Sequence, residues 1–241
     1  NVPWLRVRRK PRVAVLANGD ELVMPGEAIG PNQIVSSNNV GLCALINASG
    51  GEAIDLGIAP DDADGLMAMA AGARGADLLV TIGGASVGDH DLIQSVLGEK
   101  GLEVDFWRIA MRPGKPLIFG HFGDVPMLGL PGNPVSALVC GLVFLKPAIA
   151  ALLGANAPGL ETRSAVLSGD LGQNDQRQDY LRATTTKDAR GNLVVTPFGK
   201  QDSSMLSRLA RADALILREP HAPAVKAGDA VDIIDLGPLG Y

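Results

Sequence analysis

An apolar, β-branched run, Leu78-Leu79-Val80-Thr81-Ile82, breaks into Gly83-Gly84-Ala85-Ser86-Val87-Gly88, meets Asp89-His90-Asp91 and gives way to a helical pattern from Leu92. A strand that passes to a helix through so small a loop points to a parallel sheet, at the carboxyl end of the strands where ligands approach. Glycines without Cβ let backbone N–H groups converge on an anion, and the helix N-terminus adds partial positive charge. Carboxylates beside such a loop can hold a metal ion against that anion. The same residues also suit a plain turn with Asp91 as helix cap, so this loop alone does not decide.

Further loops of the same kind tip the balance to a site. A strand-like run from Glu103 to Ile109 carries Arg108, and Arg112-Pro113-Gly114-Lys115-Pro116 follows it. By itself this compact basic element is an ordinary solvated turn, yet arginine offers a planar fork to an oxyanion and lysine a point charge. Leu130-Pro131-Gly132-Asn133-Pro134-Val135-Ser136-Ala137 again joins an apolar strand to a helix, with Asn133 suited to cap it and Pro134 to its first turn. Ala17-Asn18-Gly19-Asp20-Glu21-Leu22 places two carboxylates behind a glycine, and Ser36-Ser37-Asn38-Asn39 precedes a helix that Asn38 or Asn39 is expected to cap.

Alternating periods organise the rest. Strand-like runs fall at 12–16, 53–56, 78–82, 104–109, 117–119 and 127–130, and helical patterns at 40–48, 62–74, 92–99 and 135–153. This predicts an α/β fold of three layers, a mainly parallel sheet with helices on both faces. Asp61 stands at the same sheet edge as the glycine loops, as N-cap, metal ligand or both. Ala155-Asn156-Ala157-Pro158-Gly159 reads as a linker, followed by short strands at 165–167, 180–186, 193–196, 214–217 and 230–234, with a hairpin turn at Asp188-Ala189-Arg190-Gly191-Asn192. The expected organisation is a leader at 1–10, an α/β domain at 11–155 and a small all-β, barrel-like domain at 160–241. Before the amphipathic turn at 206–210, the hydroxyls of Ser203 and Ser204 read first as caps.

Composition excludes several classes. A formal charge of −5 with no lysine-rich stripe argues against nucleic acid as partner. Cys43 and Cys140 lie in apolar helical settings and read as small buried hydrophobes of a reducing compartment. No Cys/His spacing suggests zinc, and no G-x-G-x-x-G follows the first strand, which argues against a nicotinamide dehydrogenase. His90 lies in the glycine loop, while His121 and His221 read as surface residues. The apolar stretch from Val135 to Leu145 is expected to stop at Lys146-Pro147, too short for a membrane span, and no signal peptide is evident. These features suit a cytoplasmic enzyme.

Taken together, NGDEL, SSNN, GGASVGDHD, MRPGKP and LPGNPVSA, in this order and spacing, resemble the motifs of the molybdopterin molybdenumtransferases, the MoeA-type molybdenum insertion enzymes related to the gephyrin E domain. The resemblance spans Arg12 to about Leu153, with the remainder similar to the family's C-terminal β domain. It implies insertion of molybdate into adenylylated molybdopterin with magnesium, releasing AMP, in a homodimer. Carried over by position, it implies Asp61, Asp91, Arg108, Arg112 and Lys115 as catalytic residues and Glu21, Asp61 and Asp91 as metal ligands. It further implies that Gly83, Gly84, Ser86, Gly88, Asp89, Asn38, Pro131, Gly132, Asn133, Ser136, Ser203 and Ser204 line the substrate. On this reading the glycine loop takes the pterin phosphate, the cations collect molybdate, and no Ser or Cys acts as nucleophile.

Several positions depart from the family pattern. Ala17-Asn18 replaces Ser-Thr, Ser37 replaces Asp, Ala85 replaces valine, and arginine stands at 108 and 112 where lysine is frequent. The PVSPMDGYA-like motif of the family's N-terminal domains is absent, so the chain is expected to be part of something longer, with low activity alone. Alternative readings are a molybdopterin adenylyltransferase, which shares the α/β core, and a non-catalytic gephyrin-like scaffold.

Overall fold

The computed structural model describes residues 1–83, 102–155 and 159–237. Its first sheet runs β4 (Glu52–Ala59), β1 (Arg12–Asn18), β5 (Leu78–Ile82), β9 (Val125–Leu130), β8 (Ile118–Phe122) and β6 (Leu102–Trp107). β4, β1, β5 and β9 are mutually parallel, while β8 and β6 add an antiparallel edge; two short strands, β2 (Leu22–Val23) and β3 (Ile34–Val35), pair with each other outside this sheet. A tight hairpin forces that reversal: β8 ends at Phe122 and β9 starts at Val125, with Gly123 at φ +58°. The mainly parallel expectation therefore holds for the four strands that carry the loops of interest.

β1 shows why three layers form. Val13, Val15 and Ala17 enter one core with Leu42, Leu45 and Ile46 of α1 (Asn38–Ala48), whereas Ala14 and Leu16 enter another with Leu66 and Ala70 of α2 (Ala63–Ala70). Successive side chains point to opposite faces of a strand, and a strand covered on both faces must be apolar at nearly every position.

The helix after β9 matches the helical pattern at 135–153. Lys146-Pro147 ends the apolar stretch but not the helix: α3 runs from Pro134 to Leu152. Proline lacks an N–H and its ring crowds the carbonyl four residues back. The chain relieves this with a wider π-helical turn at Gly141–Leu145, immediately before the regular turns resume at Lys146. At 19 residues and a mean hydropathy of 2.1, α3 has the length and apolarity of a bilayer span. Here it is a core helix, with Val135, Leu138, Val139, Leu142, Leu145 and Ile149 packed into the protein.

The second domain is a barrel. β10 (Arg163–Leu167), β14 (Ala230–Asp235), β13 (Ala214–Arg218), β11 (Gln178–Lys187) and β12 (Leu193–Pro197) pair in that order, and β12 closes back onto β10. A short helix, α4 (Leu206–Leu209), lies between β12 and β13. The barrel has its own core around Ala165, Leu167, Val195, Ile216 and Ile233. Tyr180, Leu215 and Ile234 instead join the core of α1 and α3, so apolar packing continues from one domain into the other. A two-residue strand of the first domain, β7 (Met111–Arg112), pairs in parallel with Gln178 and Asp179 of β11. Periodicity in the sequence does not reveal that pairing.

Candidate functional site

The loops gather at the carboxyl edge of the parallel strands. Asn18, at the end of β1 and only 6% exposed, donates through Nδ2 to Asp61 Oδ1 at 3.2 Å. Asp61 Oδ2 accepts from the Asp20 N–H at 3.2 Å, and the Asp61 N–H donates to Asp20 Oδ1 at 3.1 Å. The capping of α2 falls to Asp62, whose Oδ1 accepts from the Gly65 N–H at 2.7 Å, so Asp61 is not the cap. Glu21 folds its carboxylate back over Gly19, where φ is +141° and a Cβ would collide with it. Asp20, Glu21 and Asp61 are hard oxygen donors of the type magnesium takes. Among the described residues no three acidic, His or Cys side chains gather closely enough to hold a metal ion. Asp91 falls outside the described residues, as do Gly84, Ser86, Gly88, Asp89, His90 and the helix expected at 92–99.

Next to this acidic edge lies a floor without side chains. Gly83 has φ +89°, donates its N–H to the Leu130 carbonyl at 3.0 Å, and would place a Cβ 2.9 Å from the Asn18 carbonyl. A Cβ on Gly132 would in turn sit 3.5 Å from the Gly83 Cα. Glycine is required at Gly83 by conformation and by space. Pro131 and Ser136 flank the floor and are buried.

Asn38 borders it. Neither asparagine caps α1, contrary to expectation: Ser37 holds the N-cap position and makes no side-chain cap. Asn38 instead donates through Nδ2 to the Gly132 carbonyl at 2.7 Å, and Asn39 donates to Asp55 Oδ1 at 2.8 Å. The Asn38 Oδ1 atom is buried without a hydrogen-bond partner among the described residues. An unsatisfied buried acceptor is costly, and this one lies where the loops after β1, β5 and β9 meet.

Asn133 does occupy the N-cap of α3 with Pro134 behind it, yet its side chain reaches across the domains and donates to Ser203 Oγ at 3.0 Å. The Ser203 carbonyl accepts from the Val135 N–H at 3.1 Å, satisfying one of the free donors of the first turn of α3. Ser204 turns away, its Oγ–H donating to Asp202 Oδ1 at 2.7 Å. Neither serine caps α4, whose N-cap is Met205.

The basic element splits into cations with different duties. Arg108, exposed and at φ +67°, lays its guanidinium 3.6 Å from the centroid of the Trp107 ring. Arg112 is the corner of a junction. Its Nε donates to Asp179 Oδ1 at 2.8 Å and its second terminal nitrogen to Asp179 Oδ2, while Asp175 lies at 3.2 Å and Asn174 Oδ1 at 3.4 Å. The Asp179 hydrogen bond raises the already high pKa of Arg112. Lys115 lines a cleft of about 520 Å³ with Ile109, Ala110, Gln176 and Arg177.

Two charged residues of the barrel escape a reading by motif. Asp179 is 3% exposed and receives Arg112, and Arg182 is 1% exposed with a terminal nitrogen 3.2 Å from the Asp202 carbonyl. The Arg182 Nε has no hydrogen-bond partner among the described residues, and burial lowers its pKa. Arg182 stands in β11 among polar as well as apolar residues, so the local pattern does not mark it. The thiols are poor nucleophiles here, since burial pushes Cys43 up to about 11 and Cys140 up to about 12.

Residues 14–151 match the family described as "Probable molybdopterin binding domain", and residues 164–236 match "MoeA C-terminal region (domain IV)". The chain is 37% identical over 227 residues to a molybdopterin molybdenumtransferase of Haemophilus influenzae, covering 93% of this chain and 56% of that protein. It is 33% identical over 238 residues to a molybdopterin molybdenumtransferase 2 of Mycobacterium tuberculosis strain H37Rv, covering 96% of this chain and 58% of that protein. Among solved structures, a molybdopterin biosynthesis MoeA protein from Pyrococcus horikosii superposes with a TM-score of 0.79 at 32% identity, over 94% of this chain and 54% of the other. The chain thus spans a little over half the length of these relatives.

Proposed function

The chain belongs to the MoeA-type molybdopterin molybdenumtransferase family, and from that premise we propose that it serves molybdenum cofactor biosynthesis, in the step that inserts molybdate into adenylylated molybdopterin and releases AMP. The observation that carries this reading is the junction itself. A glycine floor and an acidic edge meet at the carboxyl end of the parallel strands, the basic element follows β6 at the same end of the sheet, and Ser203 of the barrel is hydrogen-bonded to Asn133 in the loop after β9. The barrel is also the part that a bare adenylyltransferase core lacks, which favours insertion over adenylylation.

Gly83 and Gly132 let a phosphate approach the backbone, and Gly84, Ser86, Gly88 and Asp89 are assigned to the same ligand by their place in the motif. Asn38 offers its free Oδ1 to an N–H donor of the pterin. Lys115 and Arg108 present positive charge to the tetrahedral oxyanion, and fixed charges of this kind cost no reorganisation when charge develops at the phosphoanhydride. Arg112 holds the basic element in place through the barrel. Asp61, with Glu21 and Asp91, would hold magnesium, which when bound offsets the charge of the phosphates. Water cleaves the phosphoanhydride and AMP departs, while the two pterin thiols bind molybdenum and displace one oxide of molybdate, which leaves as water with their two protons, with no Ser or Cys adduct. The working form is a cytoplasmic homodimer.

The test is calorimetric titration of the 241-residue chain with adenylylated molybdopterin and with molybdate, followed by AMP release on mixing. Binding of both, lost for the pterin nucleotide in Asp61→Asn at unchanged melting temperature, is the expected result. Binding of neither ligand by the unmodified chain overturns the reading.

A further inference from the structure

Consecutive residues of a strand point to opposite faces, yet the Arg108 guanidinium lies over the ring of its own neighbour, Trp107, 3.6 Å from the centroid. The backbone makes this possible. Arg108 sits at φ +67°, a left-handed conformation that is unfavourable for any residue with a Cβ and persists only where the surroundings hold it. Here they do. The Arg108 N–H donates to the Leu117 carbonyl and the Ile109 N–H to the Lys115 carbonyl, each at 3.0 Å, and Trp107 pairs with Ile118 across the sheet. Trp107 packs against the core that holds Leu102, Ile118 and Met127, which gives the guanidinium a firm support. Arg108 itself is exposed, and among the described residues no ion pair includes it. The result is a flat cation backed by an indole, with its charge unmatched by a carboxylate.

We propose that the Arg108–Trp107 stack is a platform for the base of the adenylylated pterin, with the adenine lying flat on the guanidinium. This rests on the reading of the sheet edge as the seat of that nucleotide, and it gives Arg108 a task that a lysine cannot perform. A guanidinium plane stacks on a π face, whereas an ammonium is a point charge with no face to offer. Position supports the assignment. Trp107, Ile118, Gly129 and Thr81 stand in one row across β6, β8, β9 and β5, so Arg108 emerges at the same end of the sheet as Gly132 and Gly83. The ends of β6 and β9 are two strand spacings apart, about 10 Å, which is the scale that separates a nucleotide's phosphate from its base. A phosphate on the glycine floor therefore leaves the base within reach of the stack, with the ribose crossing the start of β8.

Arg108→Lys separates the charge from the plane. Binding of AMP and of ribose 5-phosphate, which carries the same phosphate without a base, is measured by calorimetry on the 241-residue chain, with melting temperature as the control for folding. The unmodified chain is expected to bind AMP about tenfold more tightly than ribose 5-phosphate, within the range of one stacked base. In Arg108→Lys that preference should shrink to about twofold or less, while the affinity for ribose 5-phosphate is kept. If Arg108 acted only as a charge, the lysine variant would retain the preference for AMP, and that result overturns the platform. Equal binding of the two ligands by the unmodified chain, or no binding of AMP, also overturns it. Binding of adenylylated molybdopterin by a chain that shows no preference for AMP overturns the platform and leaves the insertion reading intact. An AMP preference that depends on Arg108, in a chain that does not bind adenylylated molybdopterin, overturns the insertion reading and leaves an adenine platform standing.

Discussion

Removing either partner of the Arg112–Asp179 pair should damage the protein, but by unequal amounts. Asp179 is 3% exposed, whereas the Arg112 side chain is 46% exposed and also meets Asp175 at 3.2 Å. Arg112→Ala deprives a buried carboxylate of its guanidinium, close to the buried-pair limit, and should cost about 3 kcal/mol. Asp179→Ala leaves a guanidinium nearly half in water with a second carboxylate beside it. Solvent screening lowers that loss to about 1.5 kcal/mol. At about 2–4 °C per kcal/mol for a chain of this size, the melting temperature should fall by roughly 6–12 °C in the first case and roughly 3–6 °C in the second. Arg112→Met with Asp179→Leu, which fills the same space with apolar groups, should recover most of the loss. Urea unfolding of the unmodified protein, Arg112→Ala, Asp179→Ala and the variant carrying both alanines closes a double-mutant cycle, with an expected coupling of about 1.5 kcal/mol or more. Additive losses, or a larger loss from Asp179→Ala, would refute the assignment of this pair as the clamp between domains.

Other consequences are open to simpler measurements. Gly83→Ala should lower stability by about 1–3 kcal/mol, from positive φ and the contact with the Asn18 carbonyl, and weaken binding of the pterin nucleotide in calorimetry. Asn133→Ala should cost about 1 kcal/mol in urea unfolding by deleting the hydrogen bond to Ser203, and Ser203→Ala should add little to it. Cys140 and Tyr180 both titrate near 12 in the folded protein, pushed up first by burial. Their raised values favour the neutral native forms, so that contribution is complete below about pH 9 and is lost as pH rises toward 12. The urea midpoint should therefore fall between pH 9 and 11, and fall less steeply in Cys140→Ala.

Local periodicity predicts the elements whose cause is local. The strand at 78–82 matches β5 at both ends, because a fully buried parallel strand is apolar throughout and stops at glycine. The five barrel strands were legible as short runs of strand-forming residues between turn residues. What periodicity misses is what other segments decide. The asparagines at 38 and 39 look like caps until Gly132 and Asp55, remote in sequence, claim their amides. Pro147 closes the apolar stretch, yet the helix continues because the π turn makes room for its ring. Arg112 looks like an oxyanion ligand from its motif, and only the barrel supplies the carboxylates that hold it. The loops at the sheet edge were readable because glycine and proline mark the ends of strands. The barrel's contributions, Asp179 and Arg182, carry no such punctuation.

By chain order, β7 lies within the first domain; by hydrogen bonding, it completes the flank of β11 in the second. The unit that could be exchanged among relatives is therefore not the contiguous stretch from 160 onward. A barrel cut out there would keep its five strands but present Gln178 and Asp179 as an open backbone edge, with a buried acid stripped of its base, and such an edge invites pairing with other chains. Grafting this barrel onto another core would require carrying residues 111 and 112 with it. Changes at 112 and 179 are thus bound to occur together: a lysine at 112, able to offer only one point of charge, would call for a different partner in the barrel.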